Sequence, residues 1–208
     1  MPNMLLDLLP TSIEVGGNFY NIDTNFRTSI EFELLMLDEE LEDEEKGIRA
    51  IALYLDDVSF INENNVKEVI DEILNFYTCG KNKNSIEDKS DNEEENNEDR
   101  IYDFEYDDML IYAAFLSEYN IDLQDIEYLH WWKFKAMFNS LSDDCKFCKI
   151  MGYRAIDLSE IEDSKQKNFY RKMKSIYEIP TKKKMKEKER YEKIREMLEK
   201  GENPKDLL

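Results

Sequence analysis

Six glycines and four prolines in 208 residues are too few turn-formers for a sheet sandwich, and this scarcity constrains the fold more than any motif does. A sandwich needs a turn signal roughly every 8–12 residues. Helix is the expected state, provided that apolar residues recur at helical spacing. They do so repeatedly. A first helix is expected over 25–37, capped by Thr24, with Ile30, Leu34 and Leu37 on one face and Phe26, Phe32 and Leu35 widening it. A second is expected over 43–55 (Ile48, Ile51, Ala52, Leu55), its acidic first turn suited to the helix dipole. A third covers 63–78, along Val66, Val69, Ile73 and Tyr77.

Further helices are expected over 104–119, with Leu110, Ala113, Ala114 and Phe115 recurring and Asn120 as the stop, and over 123–140, 143–151 and 159–176. After Pro180 a last helix over 181–200, closed by Gly201, shows only a thin apolar stripe. Residues 10–24, "PTSIEVGGNFYNIDT", alternate instead: Ile13 and Val15, then Phe19 and Ile22, on either side of Gly16-Gly17. That is a hairpin signal, with the glycines supplying positive φ. A lone hairpin is marginal in water and must lie on a helical surface.

The expected fold is therefore mainly α: a compact multi-helix domain with a short N-terminal β-hairpin and a charged C-terminal helix. One helical domain is expected over 1–180, containing the hairpin (10–24) and an acidic insert at 80–100, with a basic helical extension at 181–208. The insert has only Ile86 as a large apolar side chain, too little burial to offset its ordering entropy, so disorder is expected.

Charge narrows the function classes. The net charge is −20, but residues 1–164 hold 13 Lys and Arg against 40 Asp and Glu, whereas 165–208 hold 15 against 8. The acidic body repels nucleic acid. The basic tail suits an acidic partner, or attraction within or between copies. No segment approaches the roughly 18 apolar residues of a membrane span. "MPNMLLDLLP" lacks the basic region of a signal peptide, and three cysteines are an odd number. A cytoplasmic, reduced, soluble protein is expected.

Catalytic chemistry finds little to work with. His130 is the single histidine, and no nucleophile elbow, Walker or Rossmann pattern is present. Cys145 and Cys148, in "CKFC", have the spacing of half a zinc site or a redox pair, but only Cys79 and His130 remain as further ligands. Thiols packed as small apolar groups are expected, with no metal, no cofactor and no enzyme activity. The acidic runs 38–45 and 91–99 lack the spacing and glycine of a calcium loop.

"LHWWKFKAMFNSL", residues 129–141, holds both tryptophans. On a helix, neighbours point about 100° apart, so Trp131 and Trp132 cannot form one stacked cage. Tyr128, Trp131, Phe134 and Phe138 make one stripe, and Ile126, Leu129, Trp132 and Ala136 another. A core wedge is the expectation. Tyr128, Trp131, Trp132 and Phe138 are the candidate partner-binding residues should one edge be exposed.

"LIYAAFLSEYNIDL", "LHWWKFKAMFNSL" and "MGYRAIDL", in that order and ending near "YEIP", resemble a family encoded in tail-gene clusters of phages and prophages of Gram-positive bacteria. The resemblance covers roughly residues 8–180. It implies a tail assembly chaperone, encoded between the major tail protein and the tape measure protein. Such a protein coats the long tape measure helix, promotes tail tube assembly in the host cytoplasm, and is absent from the virion. The implied partner is the tape measure protein, with the tail tube protein and further copies of the chain as additional candidates. A structural tail component that stays in the particle is the alternative. The resemblance supplies no catalytic residues.

Overall fold

The computed structural model describes residues 2–81, 100–180 and, within 190–200, all but 192 and 198. The architecture is mainly helical with one antiparallel hairpin, as expected. Contacts gather the described residues into two compact units: 2–81 with 107–148, and 100–106 with those from 149 onward. The expected domain over 1–180 thus spans both units.

In the first unit, strands β1 (Ser12–Val15) and β2 (Asn18–Asn21) are joined by Gly16 (φ +57°) and Gly17 (φ +80°), a two-residue turn with positive φ at both centres. The turn sets the register, pairing Val15 with Asn18 and Ile13 with Tyr20. Directly paired residues share a face, so Ile13 and Val15 bury while Phe19, opposite Glu14, is 72% exposed. This corrects the expectation that Phe19 points inward. Alternation cannot be carried through a two-residue turn without counting the turn.

Four helices follow in this unit: α1 (Phe26–Met36), α2 (Asp43–Tyr54), α3 (Val66–Tyr77) and α4 (Asp108–Tyr119). β1 lies on α3, and α2 packs against both α1 and α3. Thr24 is not the cap of α1. Asn25 is, its side chain accepting from the Arg27 N–H, while the buried Thr24 hydroxyl meets the Tyr128 hydroxyl at 2.7 Å. The inward face of α1 is Phe26, Ser29 and Phe32, with Ile30, Leu34 and Leu37 at its half-buried edge.

On α2 the buried residues are Ala50, Ile51 and Tyr54, and Ile48 points outward. The Tyr54 hydroxyl donates to Ser29 Oγ at 2.9 Å, which satisfies both groups between α1 and α2. α4 starts at Asp108 rather than 104 and ends on Asn120, left-handed at φ +53°, as expected of a C-terminal Asn.

The largest departure concerns the expected helix over 123–140. Only α5, Trp131–Phe138, is helical there. Residues 123–129 stay non-helical because long-range bonds claim their carbonyls. Arg27 Nη2 donates to Leu123 O (2.7 Å) and Ile126 O (2.9 Å), and the Phe26 N–H donates to Leu129 O (2.9 Å). In return the Trp131 N–H donates to Thr24 O at 2.8 Å. Each helix N-terminus thus gives an otherwise orphaned N–H to the chain entering the other.

Helix α6 (Lys146–Ala155) crosses from the first unit into the second. In the second, Asp157 caps a 3₁₀ turn (Leu158–Glu160) and Asp163 caps α7 (Ser164–Ile176). Its one fully buried cation is Arg154 among the described residues; Nε donates to Tyr177 O (2.6 Å) and Nη1 to Ile101 O (3.0 Å). The Arg154 guanidinium also lies 5.9 Å from the Tyr106 ring centre. Within the expected basic helix over 181–200, residues 190–191, 193–197 and 199 are helical. The rest of it, Gly201 and most of the acidic insert (82–99) lie outside the described residues.

The hairpin register is open to a direct test. Ile13→Ala should cost ~2–4 kcal/mol in urea unfolding, whereas Phe19→Ser should stay within about 0.5 kcal/mol of the parent. Equal losses at both positions would contradict it.

Candidate functional site

The tryptophan pair is placed by the end of α3. A helix leaves its last four carbonyls without intrahelical donors, and a buried one must find a partner elsewhere. Here Leu74 O takes the Thr78 N–H and hydroxyl, and Asn75 O takes the Gly80 N–H (2.7 Å). Phe76 O takes the Cys79 N–H (3.0 Å) and Trp132 Nε1 (2.8 Å). Tyr77 O takes Trp131 Nε1 at 2.7 Å. The two adjacent indoles therefore donate to two adjacent carbonyls of one helix end.

The turn that makes this possible is a Schellman motif, in which Gly80 reaches back to Asn75 and Cys79 to Phe76. Its left-handed position, φ +56°, belongs to Cys79, where glycine is usual. Desolvation raises the pKa of this half-buried thiol.

Around the indoles the aromatic rings are layered. Trp131 stacks on Tyr77 (5.4 Å) and on Phe134 (5.6 Å). Phe134 in turn stacks on Phe26 (5.0 Å), Phe115 (4.8 Å) and Phe138 (6.0 Å), joining α1, α4 and α5. Lys135 holds its ammonium 5.2 Å from the Trp131 ring, a cation over a π face.

Of the four candidate partner-binding residues, Trp131 (0% exposed), Trp132 and Phe138 are buried in this core. Tyr128 alone is on the surface, 54% exposed. The structure joins Trp131 to Phe138 through Phe134 but gives the four no common exposed face. Phe134 and Phe115, expected on apolar stripes, are fully buried, and Phe76, which the periodicity did not single out, is nearly so.

His130 is the N-cap of α5. Its Nδ1 accepts the Trp132 N–H (3.1 Å), so the ring proton sits on Nε2, which faces Pro10 O at 2.9 Å. Both nitrogens are thus committed to backbone, and desolvation lowers its pKa, with Lys133 adding to the effect against the Pro10 bond. Cys145 precedes α6 and accepts the Cys148 N–H on its sulfur (3.3 Å), while the Cys148 thiol faces Leu141 O (3.7 Å). Burial first, then the neighbouring Cys145, pushes the Cys148 thiol up to about 12. No group of three or more His, Cys, Asp or Glu among the described residues is placed to hold a metal ion. Among them, no helix is long and apolar enough to cross a membrane.

What is apolar and accessible lies elsewhere, on α4. Ile111, Ala114 and Phe115 face inward, yet Met109 (78% exposed), Ala113 and Leu116 (41%) form an outward stripe at i, i+4 and i+7. Leu5, Leu6 and Leu8 are also exposed, on a single turn capped by Asn3. Helices apolar on both faces ordinarily have a neighbour on each.

Fold and site together define a mainly helical protein whose aromatic centre builds its core and whose exposed apolar residues include stripes on helices. The chain belongs to the bacteriophage Gp15 protein family, whose model matches residues 5–179. No curated protein and no solved structure matches it.

Two outcomes follow from this geometry. Trp131→Phe takes the indole donor from Tyr77 O, where the Cys79 thiol at 3.9 Å is a much weaker donor, whereas in Trp132→Phe the Phe76 O keeps the Cys79 N–H, so the first should cost about 1 kcal/mol more than the second. Chemical denaturation of both variants measures the difference, and equal costs would refute the capping role. For His130 the folded pKa is lowered, so below the unfolded value of about 6.5 the unfolded chain takes up a proton that the native cap resists. Its stabilisation is complete above that pH and is lost as pH falls toward the folded pKa. The stability of the parent relative to His130→Asn, which caps without titrating, should shrink between about pH 7.5 and 5.5.

Proposed function

We propose that this protein is a non-enzymatic tail assembly chaperone that binds and solubilises the tape measure protein and promotes tail tube assembly. It acts in the host cytoplasm and is absent from the finished virion. The family places the chain among bacteriophage proteins. The observation that carries the rest is α4, whose outward stripe of Met109, Ala113 and Leu116 is open at the surface although its inner face is already buried.

A tape measure is a long helix that exposes apolar residues and aggregates alone. The chemistry that recognises such a client is helix against helix, through apolar positions three and four residues apart. α4 offers that pattern over about two turns. A strongly acidic surface surrounds the bound client with charge, which keeps the complex in solution. Trp131, Trp132 and Phe138 support this surface from within by fixing α5 and α3, while Tyr128 remains a candidate contact.

Co-expression with the tape measure protein of the same phage tests the proposal. The client should remain soluble and co-purify with several copies of this chain. Met109→Asp with Leu116→Asp should cut co-purification about tenfold or more while leaving the unfolding midpoint near the parent's. If this double variant holds the client as well as the parent does, α4 is not the contact. Detection of the chain in purified virions would replace the chaperone by a structural tail component.

A further inference from the structure

We propose that the chain self-associates head to tail, helix α7 of one copy docking on helix α2 of another. This concerns copies of the chain alone and does not depend on the client.

α7 contains five Lys and Arg and no acidic residue. Its half-buried side, Lys167, Tyr170 and Met173, continues to Tyr177; Tyr170 and Tyr177 lie against the Tyr153 ring. Lys165, Phe169, Lys172 and Ile176, at spacings of four, three and four residues, are all exposed, although the Phe169 ring also meets the Tyr153 ring edge-on at 6.3 Å. At about 100° per residue these four fall within one narrow stripe. Charge and apolar surface alternate along it: Lys, Phe, Lys, Ile. Neither Lys165 nor Lys172 has an ion pair among the described residues.

α2 carries the complementary stripe. Residues 38–45 include seven Asp and Glu, and the helix opens with Asp43, Glu44 and Glu45. Glu44, Ile48 and Ala52 follow one another at intervals of four on its exposed face, Ile48 being one of the exposed large apolar residues. At ~1.5 Å per residue the α7 stripe from Lys165 to Ile176 spans about 16 Å and the α2 stripe from Glu44 to Ala52 about 12 Å, so the shorter can lie along the longer with the acidic run before Glu44 beside it.

Charge complementarity selects a second copy over other occupants: α7 has five cations and no acid, while the run leading into α2 holds seven acids, of which Glu45 pairs with Arg49 at 2.5 Å. The two surfaces differ, so the contact is heterologous: each added copy leaves one α7 and one α2 face open. Association is expected to be weak, because a single helix pair buries little area, and to respond to salt because both faces are exposed.

Sedimentation equilibrium of the full chain at low and high salt tests this. Species larger than the monomer should grow with concentration at about 0.05 M salt and recede at about 0.5 M. Lys165→Glu with Lys172→Glu should weaken association about tenfold or more, and so should Glu44→Lys with Glu42→Lys at the exposed N-cap of α2. Mixing these two variants should restore a complex, because each retains the face that the other needs. That rescue cannot come from misfolding, and circular dichroism checks each variant alone. A monomer at every concentration overturns the proposal, whether α7 then turns out to bind anionic vesicles or its own chain. Association that survives both reversals, or variants that fail to complement on mixing, overturns it equally.

Discussion

Two indole N–H groups donated to the last carbonyls of α3 are the contact on which the first unit depends. A helix end presents unpaired acceptors and a partial negative charge, and burying them without donors would cost more than the packing returns. Trp131 and Trp132 supply the donors and also the apolar bulk that covers them. Their adjacency in sequence follows directly: neighbouring carbonyls need neighbouring donors. Once α5 is held there, Phe134 is set between Phe26 and Phe115, and α1 and α4 acquire a common centre.

The contrast between surface and core follows from this arrangement. Aromatic side chains, which bury the most area, are concentrated inside. The outward apolar positions on α2, α4 and α7 are singly spaced along helices and separated by charge or small residues. Such faces suit reversible contacts more than permanent ones. They also keep these exposed stripes narrow, which limits indiscriminate aggregation.

Helical class, the hairpin with its glycine turn, and α2, α3 and α4 were legible because their signals are local. Positive φ at Gly16-Gly17, acids opening α2 and Asn120 ending α4 each act within a few residues. The core nature of the tryptophans was legible too, from the angle between neighbours on a helix. What local pattern could not show was decided by distant atoms. Residues 123–129 carry a helical apolar period, yet Arg27 and Phe26, about a hundred positions away, take their carbonyls. Thr24 looks like a cap, and Tyr128 draws its hydroxyl away. Cys79 sits where glycine is the usual signal, so the Schellman turn went unannounced. Met109 and Leu116 on α4 drew no notice in the sequence, because a helix apolar on both faces gives no sign of which face stays open.

The reciprocal bonds between the starts of α1 and α5 also impose an order in time. Phe26 waits for Leu129, and Thr24 for Trp131, so the first helix cannot complete its pairing until more than half the chain has been made. At about 5–20 residues per second, ribosomal synthesis leaves an interval of roughly 5–20 s between them. During that interval Phe26 has no Phe134 to close over it. The chain thus begins with a vulnerable stretch of its own, and the speed of its translation bears on how much of it reaches the native state.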